Sequence, residues 1–157
     1  MYGILDAFIE GQETGNTLRY DPSADTVADL WQRFNRQIKH DTIDYINAHA
    51  TGTQAGDAYE CDQLSKAFGK KMDDVPVSST KGFTGHLLGA SGAVEAGICL
   101  LCMREGIVPP TLHHAEYDPA CRIDCVPNYA REKKLKRVVS QSMGFGGHVG
   151  IISFIQG

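Results

Sequence analysis

The sequence predicts an α/β fold: a mixed, mainly parallel five-stranded sheet covered by helices. Three observations predict it. Short apolar runs of strand length alternate with longer stretches at helical spacing, in the order β-α-β-α-β-α-β-β. The last two strands are separated only by a short glycine-rich turn, which makes that pair antiparallel. One helical stretch is apolar almost all round, as a helix buried on all sides is.

Tyr2 to Glu10 alternates loosely through Ile4, Leu5, Phe8 and Ile9 and reads as a strand. A polar loop follows over Gly11 to Asp21. Val27, Leu30, Trp31, Phe34 and Ile38 then fall at helical spacing, with Pro22 and Ser23 as start signals. Ile43 to Ala48 is a short buried strand. Gly56-Asp57 opens a second helix, with Cys61, Leu64 and Phe68 on one face and Gly69 as its stop. Val75 to Ser78 is a third strand. Ala90 to Arg104 is the apolar helix, closed by Gly106 and the Pro109-Pro110 pair. Thr111 to Lys136 is loop-like and long for a compact domain, as functional or interface loops often are. Arg137 to Ser142 and Val149 to Ile155 are the final strands, joined through Gly144-Phe145-Gly146-Gly147.

The 157 residues predict a single domain spanning 1–157, with 42% hydrophobic and 22% charged residues, an ordinary globular balance. The formal charge of -4 gives no reason to expect nucleic acid as a partner. No apolar run reaches membrane-spanning length, and the start carries no secretory pattern. The five cysteines are odd in number and mostly lie in apolar patterns, so free thiols in a reducing cytoplasm are expected.

Polar residues collect at three strand ends, where open α/β sheets place their sites. The first cluster is Asn47-Ala48-His49-Ala50-Thr51-Gly52-Thr53, running on to Gly56-Asp57. The second is Ser78-Ser79-Thr80-Lys81, then Gly85-His86 and Gly89-Ala90-Ser91-Gly92. The third is Gly144-Phe145-Gly146-Gly147-His148. Two histidines on separate strand-end loops suggest convergent hydrogen-bond donors for a developing oxyanion or enolate. Lys81 could tune His86 or hold a carboxylate. Taken singly, a histidine after a strand is more often just a satisfied polar residue; three such loops in matching positions favour a site.

Other patterns carry less. The glycines at 85–92 lack the Gly-Lys-Ser/Thr ending of a phosphate loop, and Gly144-Phe145-Gly146 closes a hairpin rather than opening a helix. Cys99 and Cys102 lie inside the apolar helix and read as core residues, not as a zinc or redox pair. His113-His114 has no partner spacing for a metal, so no metal site is expected. The basic run Arg131, Lys133, Lys134, Lys136 and Arg137 is most simply a solvated face; its sharper reading is a docking patch for an acidic carrier protein.

Together these clusters resemble the β-ketoacyl-acyl-carrier-protein synthases, the condensing enzymes of the thiolase superfamily. Residues 47–53 with Gly56, Asp57 and Glu60 resemble that family's histidine loop. Residues 78–95 resemble its lysine–histidine loop, and Val108-Pro109-Pro110-Thr111 and Ser142 to Gly147 complete the match. The resemblance is to the C-terminal half alone, a thiolase-like half of β-α-β-α-β-α-β-β order. It implies decarboxylative Claisen condensation of an acyl thioester with a malonyl thioester on acyl carrier protein, in fatty-acid or polyketide synthesis.

By the same resemblance, His49 and His86 would stabilise the enolate and Lys81 would organise the site electrostatically. Thr51 and Thr53 would contact the pantetheine arm. Phe145 and Gly146 would lie at the acyl pocket, with Phe145 gating it and its backbone N–H supplying half of an oxyanion hole. Asp57 and Glu95 would be supporting residues, Glu95 buried below the site. No cofactor is implied beyond the phosphopantetheine that arrives on the carrier protein. The implied partners are acyl carrier protein, an N-terminal synthase half in cis or trans, and a dimer mate against residues 90–104. No cysteine lies in an elbow of the family's nucleophile type, and His148 stands where the family commonly has a small polar residue. A non-catalytic subunit that binds acyl or carrier groups is therefore an alternative, and a decarboxylase a weaker one.

Overall fold

The protein is described by a computed structural model, covering residues 2–13, 21, 23–39 and 41–157. Its main sheet has five strands in the order β1-β7-β6-β2-β3, where β1 is Ile4–Gln12, β2 Tyr45–Asn47, β3 Val77–Ser78, β6 Arg137–Gly144 and β7 His148–Ile155. β2 pairs parallel with both β3 and β6, while β7 runs antiparallel to β6 and to β1. Four strands thus share one direction and β7 alone opposes them. The expected parallel character holds for strand direction, but the ladders are evenly mixed.

The helices are α1 Thr26–Gln37, α2 Gln54–Phe68, the single turn α3 Lys81–Thr84 and α4 Ser91–Glu105. α1 buries Val27, Ala28, Leu30, Trp31 and Phe34. Each large apolar side chain buried in this way contributes about 1.5–3 kcal/mol. Strand side chains alternate between faces. Ile46, Val139 and Ile151 join the core with α1 and Leu64 of α2, whereas Tyr45, Val138 and Phe154 join Cys99, Cys102 and Met103 of α4 on the other side. α1 and α2 therefore cover one face of the sheet and α4 the other. α4 ends at Gly106, whose φ of 67° gives the left-handed C-cap that glycine adopts without strain.

Several expectations change. α2 starts at Gln54, not at Gly56, because Thr53 already stands as its extended N-cap. Of the loop expected over 11–21, residues 14–20 lie outside the described residues, as does Pro22, while Gly11 and Gln12 extend β1. The 111–136 segment is anchored rather than free: β5, Arg131–Glu132, pairs with β4, Ile107–Val108, and Val126 and Leu135 are buried in the second core. α4 is not buried all round, since Val94 and Leu101 are exposed.

The cysteine reading is corrected in part. Cys61 of α2 and Cys121 are joined as a disulfide with Cα atoms 5.4 Å apart, while Cys99, Cys102 and Cys125 are free. Spacing could not reveal that pair, because 60 residues separate the two cysteines and only the fold brings the helix and the long loop together. The basic run does not form one solvated face either. Arg137 is buried, ion-paired with Asp6 and reaching Asp41 at 3.3 Å, and Arg131 is paired with Asp124. Among the described residues no helix is long and apolar enough to cross a membrane.

Candidate active site

Strands β6, β2 and β3 are neighbours and point the same way, so the loops leaving their C-terminal ends emerge side by side. These are the three polar clusters of the sequence. β2 delivers residues 48–53, β3 delivers 79–86, and β6 delivers the turn 145–147.

The β2 loop is fixed from below. Asn47 is fully buried, and its Nδ2 donates to Tyr45 Oη at 3.1 Å and Thr80 Oγ1 at 3.3 Å. Tyr45 Oη lies 2.9 Å from Ser78 Oγ. The carboxylate of Glu60 on α2 accepts the backbone N–H groups of His49 at 2.8 Å and Ala50 at 2.7 Å. Gln141 of β6 donates to the same carboxylate and accepts from the Trp31 indole. Burial pushes Glu60 up to about 7, against the pull of those N–H donors. Sequence reasoning quoted Glu60 only as part of a motif; its spacing on a helix facing the loop was the available signal.

His49 is buried, and its Nδ1 has no partner within the described residues. Burial, then the nearby Lys81 and His86, lowers its pKa to about 4, so the imidazole is neutral at pH 7. The β3 loop brings His86 against it: the two rings stand edge to face, with centroids 5.5 Å apart. Lys81 is buried and ion-paired with Glu95 of α4, which also accepts from Ser142 Oγ of β6 at 3.3 Å. Lys81 thus holds a carboxylate, one of its two expected roles, and its charge is felt at His49. Ser79 ties the two loops together by donating to Ala50 O at 2.7 Å.

The remaining predicted residues lie on the β2 loop, the β6–β7 turn and the first turn of α2. Thr51 Oγ1 and Thr53 Oγ1 are 3.2 Å apart at the outer end of the β2 loop. Asp57 is raised by partial burial, offset by the backbone N–H groups of Gly52, Thr51 and Thr53. Phe145 is 75% exposed on the β6–β7 turn, with Gly146 beside it at a φ of 82°. That turn is held to β1, where Gln12 Nε2 donates to Gly146 O at 2.9 Å and Glu13 N–H donates to Gly147 O at 2.9 Å. His148 is exposed and folds back on its own turn, since a Cβ on Gly146 would lie 3.4 Å from its ring. A cavity of about 390 Å3 lies beyond the loop, between α2 and the 114–125 segment; Asp57 and Cys125 line it, but His49, His86 and Lys81 do not. Among the described residues no cluster of three His, Cys, Asp or Glu side chains could hold a metal ion.

Burial raises the pKa of the free thiols, Cys102 to about 11 and Cys99 and Cys125 also above their ordinary value. All three are therefore protonated at neutral pH and weakly nucleophilic.

Comparison with known proteins fits this arrangement. The family described as "Beta-ketoacyl synthase, C-terminal domain" matches residues 3–115. The chain is 43% identical over 154 residues to 3-oxoacyl-[acyl-carrier-protein] synthase 2 of Coxiella burnetii, covering 97% of this chain and 37% of that protein. It is 45% identical over 107 residues to the tetracenomycin polyketide synthase ketoacyl synthase alpha subunit of Streptomyces glaucescens, covering 68% of this chain and 25% of that one. A β-ketoacyl synthase structure from Burkholderia phymatum superposes with a TM-score of 0.90 at 31% identity, covering 99% of this chain and 38% of the other. The chain thus spans well under half the length of the curated relatives it matches.

Proposed function

This chain belongs to the β-ketoacyl synthase family, matching its C-terminal domain, and on that premise we propose that it is the enolate-stabilising half of a condensing enzyme. The observation that carries the reading is the pairing of His49 and His86, edge to face at 5.5 Å, with the charge of the buried, Glu95-paired Lys81 acting on His49. A neutral imidazole has one N–H to donate. Two such donors from different loops can converge on the oxygen of a malonyl thioester. Loss of carbon dioxide then leaves the electron pair delocalised on that oxygen, and donors aimed at developing charge lower the barrier. The enolate carbon attacks an acyl group held as a thioester on a cysteine of the N-terminal half, and that sulfur leaves.

In this scheme Lys81 and Glu95 fix the charge beneath the histidines, and Asp57 supports the Thr51–Thr53 loop against the pantetheine arm. Phe145 and Gly146 border the acyl group, and the Phe145 N–H contributes to the oxyanion hole. Acyl carrier protein brings both thioesters and their phosphopantetheine, so the chain needs no cofactor of its own. The exposed Val94 and Leu101 of α4 support a covered position for that helix, against an N-terminal half in cis or trans or in a dimer. Residues 1–157 act as one domain of a cytoplasmic enzyme of fatty-acid or polyketide synthesis.

The protonated and disulfide-bonded cysteines favour a second reading of the chain by itself, as an acyl- or carrier-binding subunit without transfer chemistry. Carrier-dependent condensation, assayed with the N-terminal half present, separates the two. His49→Ala is expected to lower kcat by about 10²–10³, the usual cost of one oxyanion donor. A His49→Ala protein as active as the wild type favours the binding subunit.

A further inference from the structure

Ser91 is the first residue of α4, one position inside the Ala90 N-cap. Its side chain is buried and turned back toward the preceding loop. Ser91 Oγ lies 3.1 Å from His86 Nδ1 and accepts the Leu87 N–H at 3.0 Å. The Leu88 N–H donates to the same Nδ1 at 3.3 Å. Leu88 itself stands at a φ of 51°, a left-handed conformation that a leucine adopts only where its surroundings impose it.

The hydrogens can be placed from these contacts. Leu87 has given its N–H to Ser91 Oγ, so the hydroxyl keeps one hydrogen, and the acceptor beside it is Nδ1. If Nδ1 carried a proton instead, it would face the Leu88 N–H donor to donor. Ser91 Oγ would then accept twice while its own hydrogen found nothing. We infer that Ser91 is a positioning residue for His86: its hydroxyl donates to Nδ1 beside the Leu88 N–H, and the two donors together confine the ring proton to Nε2. The nitrogen away from Ser91 is then a fixed donor, and Nδ1 cannot act as one. The inference rests on the enolate role given to His86 for its consequence, but not for its geometry.

His86 contrasts with His49 in this respect. His49 Nδ1 has no partner within the described residues, so no such contact selects its tautomer. The two histidines are therefore set by different means, His49 through its backbone on Glu60 and His86 through its ring on Ser91.

Nitrogen-15 NMR of histidine-labelled protein, in the assembly with the N-terminal half, reads the tautomer directly. The four histidines other than His86 and its ring neighbour His49 serve as internal controls of the fold. The wild type should show His86 with a bare Nδ1 and a protonated Nε2. In Ser91→Ala the ratio of the two tautomers should fall by about tenfold, as expected for the loss of one hydrogen bond, with the signals of those four histidines unmoved. Ser91→Thr, which keeps the hydroxyl, should restore it. In parallel, Ser91→Ala should lower kcat by about tenfold and leave the KM for the malonyl thioester within about twofold. Unchanged His86 signals in Ser91→Ala, or a wild-type His86 protonated at Nδ1, overturn the inference. A shifted tautomer with unchanged kcat leaves Ser91 in its role and removes His86 from the enolate chemistry instead.

Discussion

His49 carries an electrostatic load that its neighbours resolve by keeping it neutral. Its pKa of about 4 lies below the ordinary 6.5, so the unfolded chain takes up the proton first as pH falls. Its contribution to stability is whole above about pH 6.5 and is lost as pH falls toward 4. Glu60 acts in the opposite sense. Raised from 4.5 to about 7, it favours the fold below 4.5 and loses that contribution as pH rises through 7. The two shifts have opposite signs, so their slopes oppose each other between about pH 4.5 and 6.5. The prediction is specific: an NMR pH titration should show no protonation of the His49 ring from pH 8 down to about 5, with its midpoint near 4. A midpoint near 6.5 would mean that the burial and the Lys81 charge invoked here do not act on the ring. At this scale the motifs drew attention to His49, His86, Lys81 and Glu95, and the fold pairs the two histidines with each other and the lysine with the glutamate. Glu60, Ser91 and Ser142 were not assigned roles, because each acts through a contact made only after α2, α4 and β6 come together.

The turn between β6 and β7 shows how one element is shaped for its position. Gly147 has a φ of 77°, and a Cβ there would meet Glu13 O at 2.3 Å. Backbone on both sides leaves no room to relax, and the left-handed conformation adds its own cost for any other residue. Gly147→Ala should therefore lower stability by about 2–4 kcal/mol, read as a shift of the urea midpoint. An unchanged midpoint would show that β1 does not hold the turn as described. The same element shows why the short strands and the long loop were the least legible parts. Apolar spacing announced α1 and α4 clearly. It gave β3 only as part of a four-residue run, and it missed β5, whose two charged residues pair along their backbone with β4. The Cys61–Cys121 bond was equally hidden, since its 60-residue separation carries no local signal.

For the whole molecule, the arrangement follows from strand direction. Three neighbouring parallel strands, β6, β2 and β3, deliver their loops to one edge, and α4 supplies Glu95 and Ser91 from the opposite face to support them. The strand–helix order was readable as a pattern. The reversed β7, which lets β1 enter the sheet and brace the glycine turn, follows from the hairpin at β6–β7 and from the pairing of chain ends that are far apart in sequence. The central claim is that His49 and His86 act together on a single oxygen. It is tested most directly by release of carbon dioxide from a malonyl thioester, measured on the assembly with the N-terminal half. His49→Ala and His86→Ala should each lower the rate by about 10²–10³, and the double variant should lose little more than either alone, because the two donors act as a unit. Carbon dioxide release at the wild-type rate in either single variant would contradict the account.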